Sequence, residues 1–184
     1  MLKGKRVLLR SFELSDLDEI MKHWNNMELR NRVGSADRGP QSRSDEEDWI
    51  RNTWKDRQEK KGFTFAIATI AENKLIGGIS LFNINWVSRS AMFGISIYDP
   101  KNRGKGYGQE STKLILDFAF NTLNLHRVEL FTFDFNTQAQ ETYQKVGFKE
   151  IGRRRKAAFI DGRYNDDVVM DILSDEWLKQ SKKK

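Results

Sequence analysis

Gly104, Gly106 and Gly108 punctuate the stretch PKNRGKGYGQESTKLILDFAF, residues 100–120, with Arg103 and Lys105 set among them, and the segment runs straight into a helical pattern. Glycine lets a backbone come close to another group. A helix N-terminus presents free N–H groups and a partial positive charge. Together they suit an anion, above all a phosphate, seated on the backbone. Two common phosphate patterns fail here. The nucleotide loop GxxxxGK[ST] is missing, and Gln109 stands where the fingerprint GxGxxG needs its last glycine. The chain has no cysteine, which excludes disulfides, cysteine-held metals and a cysteine nucleophile. Its histidines, His23 and His126, are too few for a multi-histidine metal site, so no metal is expected. A covalent route would have to use Ser, Thr, Lys or a carboxylate.

The elements that must position this turn follow from periodicity. Residues 6–12 read as a strand. Residues 15–24 read as an amphipathic helix capped by Ser15, with Leu17, Ile20, Met21 and Trp24 on one face. Residues 25–40 carry breakers at Gly34, Gly39 and Pro40 and read as irregular. Residues 44–61 form a helix opened by a Ser44/Glu47 capping box, with Trp49, Ile50, Thr53 and Trp54 inward and the acidic run 45–48 in the first turn, where the dipole favours it. Three strands follow at 63–70, 75–85 and 90–98, joined closely enough to be an antiparallel meander. The glycine turn then opens a largely buried helix at 107–122, and a strand at 126–134 completes a parallel crossover. A helix at 136–148, capped by Asn136 and stopped by Gly147, leads to a hairpin turning at Asp161–Gly162. The chain reads as one α/β domain, residues 1–178, with a solvated basic tail at 179–184. It lacks an apolar run of the length a signal peptide or a membrane span needs, so a cytoplasmic protein with no membrane partner is expected.

Arg103–Gly108 fits Q/R-x-x-G-x-G/A, and residues 136–148, NTQAQETYQKVGF, fit N-x-x-A-x-x-x-Y-x-K-x-G-F through Asn136, Ala139, Tyr143, Lys145, Gly147 and Phe148. Both patterns, and their separation by a strand, resemble the GNAT superfamily of acetyl-CoA-dependent N-acetyltransferases. The opening residues and the ending FIDGRYNDDVVMDIL look most like the RimJ/RimL branch and its spermidine acetyltransferase relatives. The resemblance implies an α/β (α+β) fold with a mixed, mostly antiparallel central sheet of about seven strands flanked by helices. Within it a splayed strand pair would hold acyl-CoA.

The resemblance also implies roles. Backbone N–H groups from Arg103 through Gly104, Lys105, Gly106 and Tyr107 to Gly108 would wrap the pyrophosphate of acetyl-CoA, with side-chain charge from Arg103 and Lys105. Ile95, Ser96 and Ile97 would pair with the pantetheine arm, and an N–H near Ile97 would polarise the thioester carbonyl. Asn136 would bond the pantetheine, cap its helix, or do both. Tyr143 would protonate the departing thiolate as general acid; the bland alternative is a core tyrosine. The general base stays open, because Met92 stands where many relatives carry a glutamate. Asn83, Asn85 or Ser90 through water, Asp134, and Glu28 are the candidates at or near the acceptor.

With no cysteine and no suitable histidine, direct attack by the amine in a ternary complex is preferred to a ping-pong route. The acceptor site would be built from residues 25–40, 44–61 and the turn at 161–162. Arg30, Arg32, Arg38 and Arg43 sit among Glu28, Asp37 and the 45–48 cluster, and this mixed charge weighs against a strongly cationic acceptor. A protein or peptide N-terminal α-amine is therefore placed first, ahead of a polyamine such as spermidine or spermine, or another small amine. A non-catalytic acyl-CoA-binding module is the reading from another class, and Tyr143 beside an intact glycine turn argues against it. The net charge of +6 and the run Arg153–Lys156 suggest nucleic acid, but that run reads as a solvated strand edge, so nucleic acid is not expected as a partner. The edges of the last hairpin could pair in a homodimer.

Overall fold

The computed structural model describes residues 1–181. Eight strands form one sheet: β1 (Leu2–Lys3), β2 (Val7–Arg10), β3 (Phe63–Thr69), β4 (Leu75–Asn85), β5 (Ser90–Ile97), β6 (Arg127–Phe133), β7 (Lys149–Ile160) and β8 (Arg163–Leu173). Their order is β1-β2-β3-β4-β5-β6-β8-β7, and every pair is antiparallel except β5 with β6. The meander, the crossover and the hairpin read from the sequence are all present. The strand beyond the expected seven is the two-residue β1.

Helices cover both faces. On one lie α1 (Leu17–Trp24), α2 (Met27–Val33) and α3 (Arg43–Gln58), over a core of Phe12, Leu17, Ile20, Leu29, Ile50, Ala66, Leu75 and Tyr98. On the other lie α4 (Tyr107–Asp117), α5 (Thr137–Val146) and α6 (Ser174–Ser181). Their core is larger and includes Ile115, Leu116, Tyr143, Val146 and Trp177. The period of two in β3 assigns the sides: Phe63, Phe65 and Ile67 enter the larger core and Ala66 the smaller.

Four sequence expectations need correction. Residues 25–40 are not irregular throughout: α2 forms there, with Asn26 Oδ1 accepting the Leu29 N–H at 3.3 Å and Gly34 ending it at φ 68°. Seven residues carry too few periodic positions to stand out from the breakers around them. Second, Ser15 caps nothing. Asp16 does that work, its carboxylate accepting the Glu13 N–H at 2.9 Å while Arg10 grips it at 2.7 and 2.8 Å. Third, α3 starts earlier than expected. Its capping box is Ser42/Asp45, not Ser44/Glu47: Ser42 Oγ accepts from the Asp45 N–H at 3.2 Å, and Asp45 accepts from the Ser42 N–H at 2.7 Å. Fourth, α6 crosses the expected domain end at 178. The tail's first residues, 179–181, are helical, and 182–184 lie outside the described residues.

The glycine turn is held from behind. Glu110, in the first turn of α4, accepts the backbone N–H groups of Lys5, Arg6 and Val7 at 2.7, 2.8 and 3.3 Å and the Arg6 Nε at 3.0 Å. Arg6 also donates to the Lys105 carbonyl at 2.8 Å and lies 5.4 Å from the Tyr107 ring centroid. One carboxylate thus ties β2 to the mouth of α4. Burial works to raise its pKa, and the hydrogen bonds from Arg6, Val7 and Lys5 outweigh that and leave it below the ordinary value of 4.5. The linkage therefore stabilises the fold above about pH 4.5 and fades as pH falls through the depressed folded-state pKa. Glu110→Ala should cost about 2–3 kcal/mol in urea unfolding at neutral pH, as loss of several hydrogen bonds to a charged group implies. The gap from wild type should shrink as the pH is lowered toward about 3. A gap independent of pH would show that the carboxylate charge does not carry the tie.

Candidate active site

Two cavities meet at β5. The first, of about 510 Å³, lies between β5 and β6 under the N-termini of α4 and α5. The two strands pair only at Ser90–Arg127, Ala91–Val128 and Met92–Glu129 and then part. Phe93–Ile97 on one side and Phe131–Phe133 on the other line the gap. The opposite edge of β5 stays bonded to β4 from Met92 to Ile97. Gly77 in β4 permits this close pairing, since a Cβ there would run into the Ser96 carbonyl oxygen.

At the gap's mouth, Gly104, Gly106, Tyr107 and Gly108 line the cavity. Gly106 is the N-cap of α4 at φ 80°, a conformation that strains any side chain. Gly108 differs. It has ordinary helical φ, and an added Cβ would meet only the Ile95 side chain at 3.9 Å. The turn itself does not require this glycine; its bare Cα leaves room in the cavity.

Arg103 lines the first cavity, but its guanidinium is engaged with protein. Nε donates to the Ile97 carbonyl at 3.2 Å, and Nη1 reaches Glu28 at 3.2 Å. It braces the end of β5 and is not free for phosphate. Lys105 is exposed and lies outside the cavity wall. The backbone of the turn, with α4 behind it, is what remains to hold an anion.

Asn136 precedes α5 yet makes no side-chain cap bond, and its amide lines the cavity. Tyr143 sits deeper, 9% exposed, edge-on to Phe93 and Phe148 with centroids 5.9 Å from each. Burial pushes its phenol pKa upward, so the hydroxyl keeps its proton. Ile95, Ser96 and Ile97 also line this cavity.

The remaining candidates scatter. Glu28 is 58% exposed and pairs with Arg32 and Arg103. Asn83 and Asn85 are exposed at the β4–β5 hairpin, where Asn85 Oδ1 accepts the Ser88 N–H at 2.8 Å. Asp134 accepts the Asp166 N–H at 3.4 Å beside the last hairpin. None of these four lines either cavity.

The second cavity, of about 430 Å³, opens between β5 and helices α1–α3. It shares Val33, Gly94, Ile95 and Ser96 with the first. Trp24, Trp49 and Tyr98 supply aromatic wall, and Asp45, Glu46 and Asp48 supply carboxylates. From sequence, Glu46 is one member of the acidic 45–48 cluster, which reads as a solvated first turn; in the fold it turns inward and is only 5% exposed. The available signal was its spacing from two core residues, since Glu46, Ile50 and Thr53 are the buried face of α3. Burial pushes its carboxyl up to about 7; Asp45 adds to the rise, and Arg30 and Arg38 oppose it. Among the described residues no group of three or more His, Cys, Asp or Glu could hold a metal ion, and no helix is long and apolar enough to cross a membrane.

Comparison with known proteins agrees with this geometry. Residues 6–149 match the family model of the acetyltransferase (GNAT) domain. The chain is 33% identical over 178 residues to the spermidine N(1)-acetyltransferase of Vibrio cholerae serotype O1, covering 97% of this chain and 99% of that protein. It is 30% identical over 183 residues to the probable N-acetyltransferase YjcK of Bacillus subtilis, covering 95% and 97%. Among solved structures, that of spermidine N-acetyltransferase from Vibrio cholerae in complex with CoA and spermine superposes with a TM-score of 0.83 at 30% identity, over 95% of this chain and 99% of that one. The family match runs from the first long strand to the start of the last hairpin, and the chain accordingly belongs to the GNAT acetyltransferases, enzymes that take their acetyl group from acetyl-CoA.

Proposed function

We propose that this enzyme acetylates a primary amine of a polyamine such as spermidine or spermine, by direct attack in a ternary complex. The observation that carries the reading is the acidic and aromatic cavity that meets the acyl-CoA gap at Gly94–Ser96. The α-amine reading placed first from sequence gives way because its argument, mixed charge, dissolves in three dimensions. Arg43 is drawn off to Asp18 at 2.6 Å, and Arg32 lines the other cavity. Arg30 is fully buried with its donors on the Ser35 and Gly39 carbonyls. Of the three carboxylates that line the second cavity, Asp45 is bonded to Ser42, which leaves Glu46 and Asp48, while of its two arginines only Arg38 has an uncommitted head. Indole faces suit ammonium groups as well. The similarity to spermidine acetyltransferases along nearly the whole chain supports the same assignment.

In this reading the glycine turn holds the pyrophosphate, and the unpaired edge of β5 takes the pantetheine as an added strand. A backbone N–H near Ile97 polarises the thioester carbonyl, Asn136 bonds the pantetheine amide, and Tyr143 stands by the sulfur. The amine enters from the second cavity, and its nitrogen forms the C–N bond as the C–S pair leaves on sulfur. Tyr143 delivers a proton to that thiolate, and the amine's surplus proton leaves on the acceptor side. The two substrates approach β5 from different sides, so no acyl-enzyme is required.

Release of CoA thiol from acetyl-CoA should be fastest with spermidine, compared with a peptide starting with Ser or Ala and an N-blocked peptide containing Lys. Preference for the free α-amine peptide would overturn the polyamine reading. Tyr143→Phe should lower kcat roughly 10–10³-fold, the usual range for a general acid, and leave acetyl-CoA affinity within about twofold. Unchanged turnover would return Tyr143 to the core. Because Asn136 makes no cap bond, Asn136→Ala should weaken acetyl-CoA binding about 5–10-fold, the worth of one hydrogen bond, while shifting Tm little. A marked drop in Tm with unaltered affinity would mean that the residue serves the helix instead.

A further inference from the structure

Three carboxylate side chains are buried in the described structure: Asp16, Glu46 and Asp167. Asp16 is gripped by Arg10 at 2.7 Å, and Asp167 by Arg154 at 2.9 Å. Glu46 alone has neither an ion pair nor a side-chain hydrogen bond among the described residues. A glutamate this far inside with no protein donor needs a reason, and what access its carboxylate keeps is to the cavity it lines. Its carboxylate lines the second cavity, whose far wall is Gly94–Ser96 of β5. On that wall Ser96 Oγ is buried without a hydrogen-bond partner. Two unspent polar groups therefore share the cavity that adjoins the acyl-CoA gap.

We propose that Glu46 accepts the proton that the acceptor amine must lose before it attacks the thioester. This rests on reading the second cavity as the amine site. The acceptor arrives as an ammonium, and the Glu46 carboxylate takes one N–H proton, freeing the nitrogen lone pair. That pair forms the C–N bond to the acetyl carbon, the C–S bond breaks with its electrons on sulfur, and Tyr143 protonates the thiolate. The second proton lost from nitrogen after attack replaces the one Tyr143 gave up, and Glu46 releases its own to water through the cavity mouth. No oxidant, metal or further reactant is needed.

The charged and titratable groups facing Glu46 are Arg30 from α2, Arg38 from the turn after it, Asp45 from its own helix and Tyr98 from the end of β5. Both arginines keep the carboxylate from being driven higher still, and burial keeps it from being an ordinary, weakly basic surface glutamate. A base that titrates near neutrality is matched to taking a proton there.

The test is the shape of the pH profile. Initial rates would be measured from about pH 6 to about pH 10 for wild type, Glu46→Gln and Glu46→Asp, with spermidine and with n-butylamine, alongside acetyl-CoA dissociation constants. The monoamine probes the base without invoking a polyamine. In wild type, kcat/KM should rise through a limb near pH 7 and then level. In Glu46→Gln it should be about 10²–10⁴-fold lower at pH 7. It should then climb log-linearly toward the amine's own pKa of about 10, so that the deficit closes at high pH. Acetyl-CoA affinity should not change. Should Glu46→Gln fail to bind acetyl-CoA, Glu46→Asp decides: the limb should persist at reduced rate. A Glu46→Gln profile parallel to wild type at every pH would overturn the assignment, as would an Asp variant without the limb. Turnover of n-butylamine with the expected profiles but none of spermidine would defeat the polyamine reading and leave Glu46 in place. No transfer to either amine by wild type would overturn both.

Discussion

The parting of β5 from β6 is the constraint on which everything else turns. A strand inside a sheet normally bonds along both edges. β5 does so for three residues, and from Phe93 onward it is bonded only to β4. The other edge presents backbone donors and acceptors to a cavity, where water or a ligand must satisfy them. A wedge holds the split open. Phe93, the first residue past the last paired position, meets Tyr143 and Phe148 with ring centroids 5.9 and 5.8 Å away. The aromatic cluster stops the strands from zipping shut. Tyr143 is therefore both part of the core and a wall of the split.

Once the strands part, α4 can be read as a consequence. It crosses from β5 to β6, and its N-terminus falls at the open end of the gap. The tie from Glu110 to residues 5–7 fixes that end from the solvent side, and Arg103 fixes the end of β5 from the other. Arg6, Glu110 and Arg103 are thus spent on positioning the turn. In the proposed reading the anion falls to backbone dipoles, which do not change rotamer and need no reorganisation on binding.

How far the sequence was legible follows the same division. Strands with strong alternation, the buried α4 and the Asp161–Gly162 hairpin rest on local patterns, and they are where periodicity puts them. The glycine turn and the α5 segment are contiguous stretches, and the fold brings both to one cavity. The acceptor side was not legible, because it is assembled by tertiary placement. Periodicity puts Glu46 on the face of Ile50 and Thr53, but only the packing of α1–α3 over β5 opens a cavity in front of it. The burial of Arg30 and the pairing of Arg43 with Asp18 decide the cavity's charge. Asn83, Asn85, Asp134 and Glu28 had suitable chemistry in suitable segments, yet none of them lines either cavity.

Burial acts on the two sides of β5 with one sign and two uses. Desolvation disfavours the charged form of any acid. For Tyr143 this keeps the phenol protonated, as the proposed general acid would have to be. For Glu46 the same penalty lifts a carboxylate from 4.5 to about 7, where it can hold or release a proton at neutral pH. The second case has a stability consequence of definite sign. A group whose folded-state pKa lies above its unfolded value favours the folded state at low pH, and that contribution is lost as pH rises from about 4.5 to about 7. The loss is on the order of 3 kcal/mol, a large fraction of a typical domain's stability. Leucine or alanine at position 46 would avoid it and continue the apolar stripe of Ile50. An ionisable residue that costs the fold this much, without a protein partner and facing a cavity, is explained by what happens in the cavity and not by the fold.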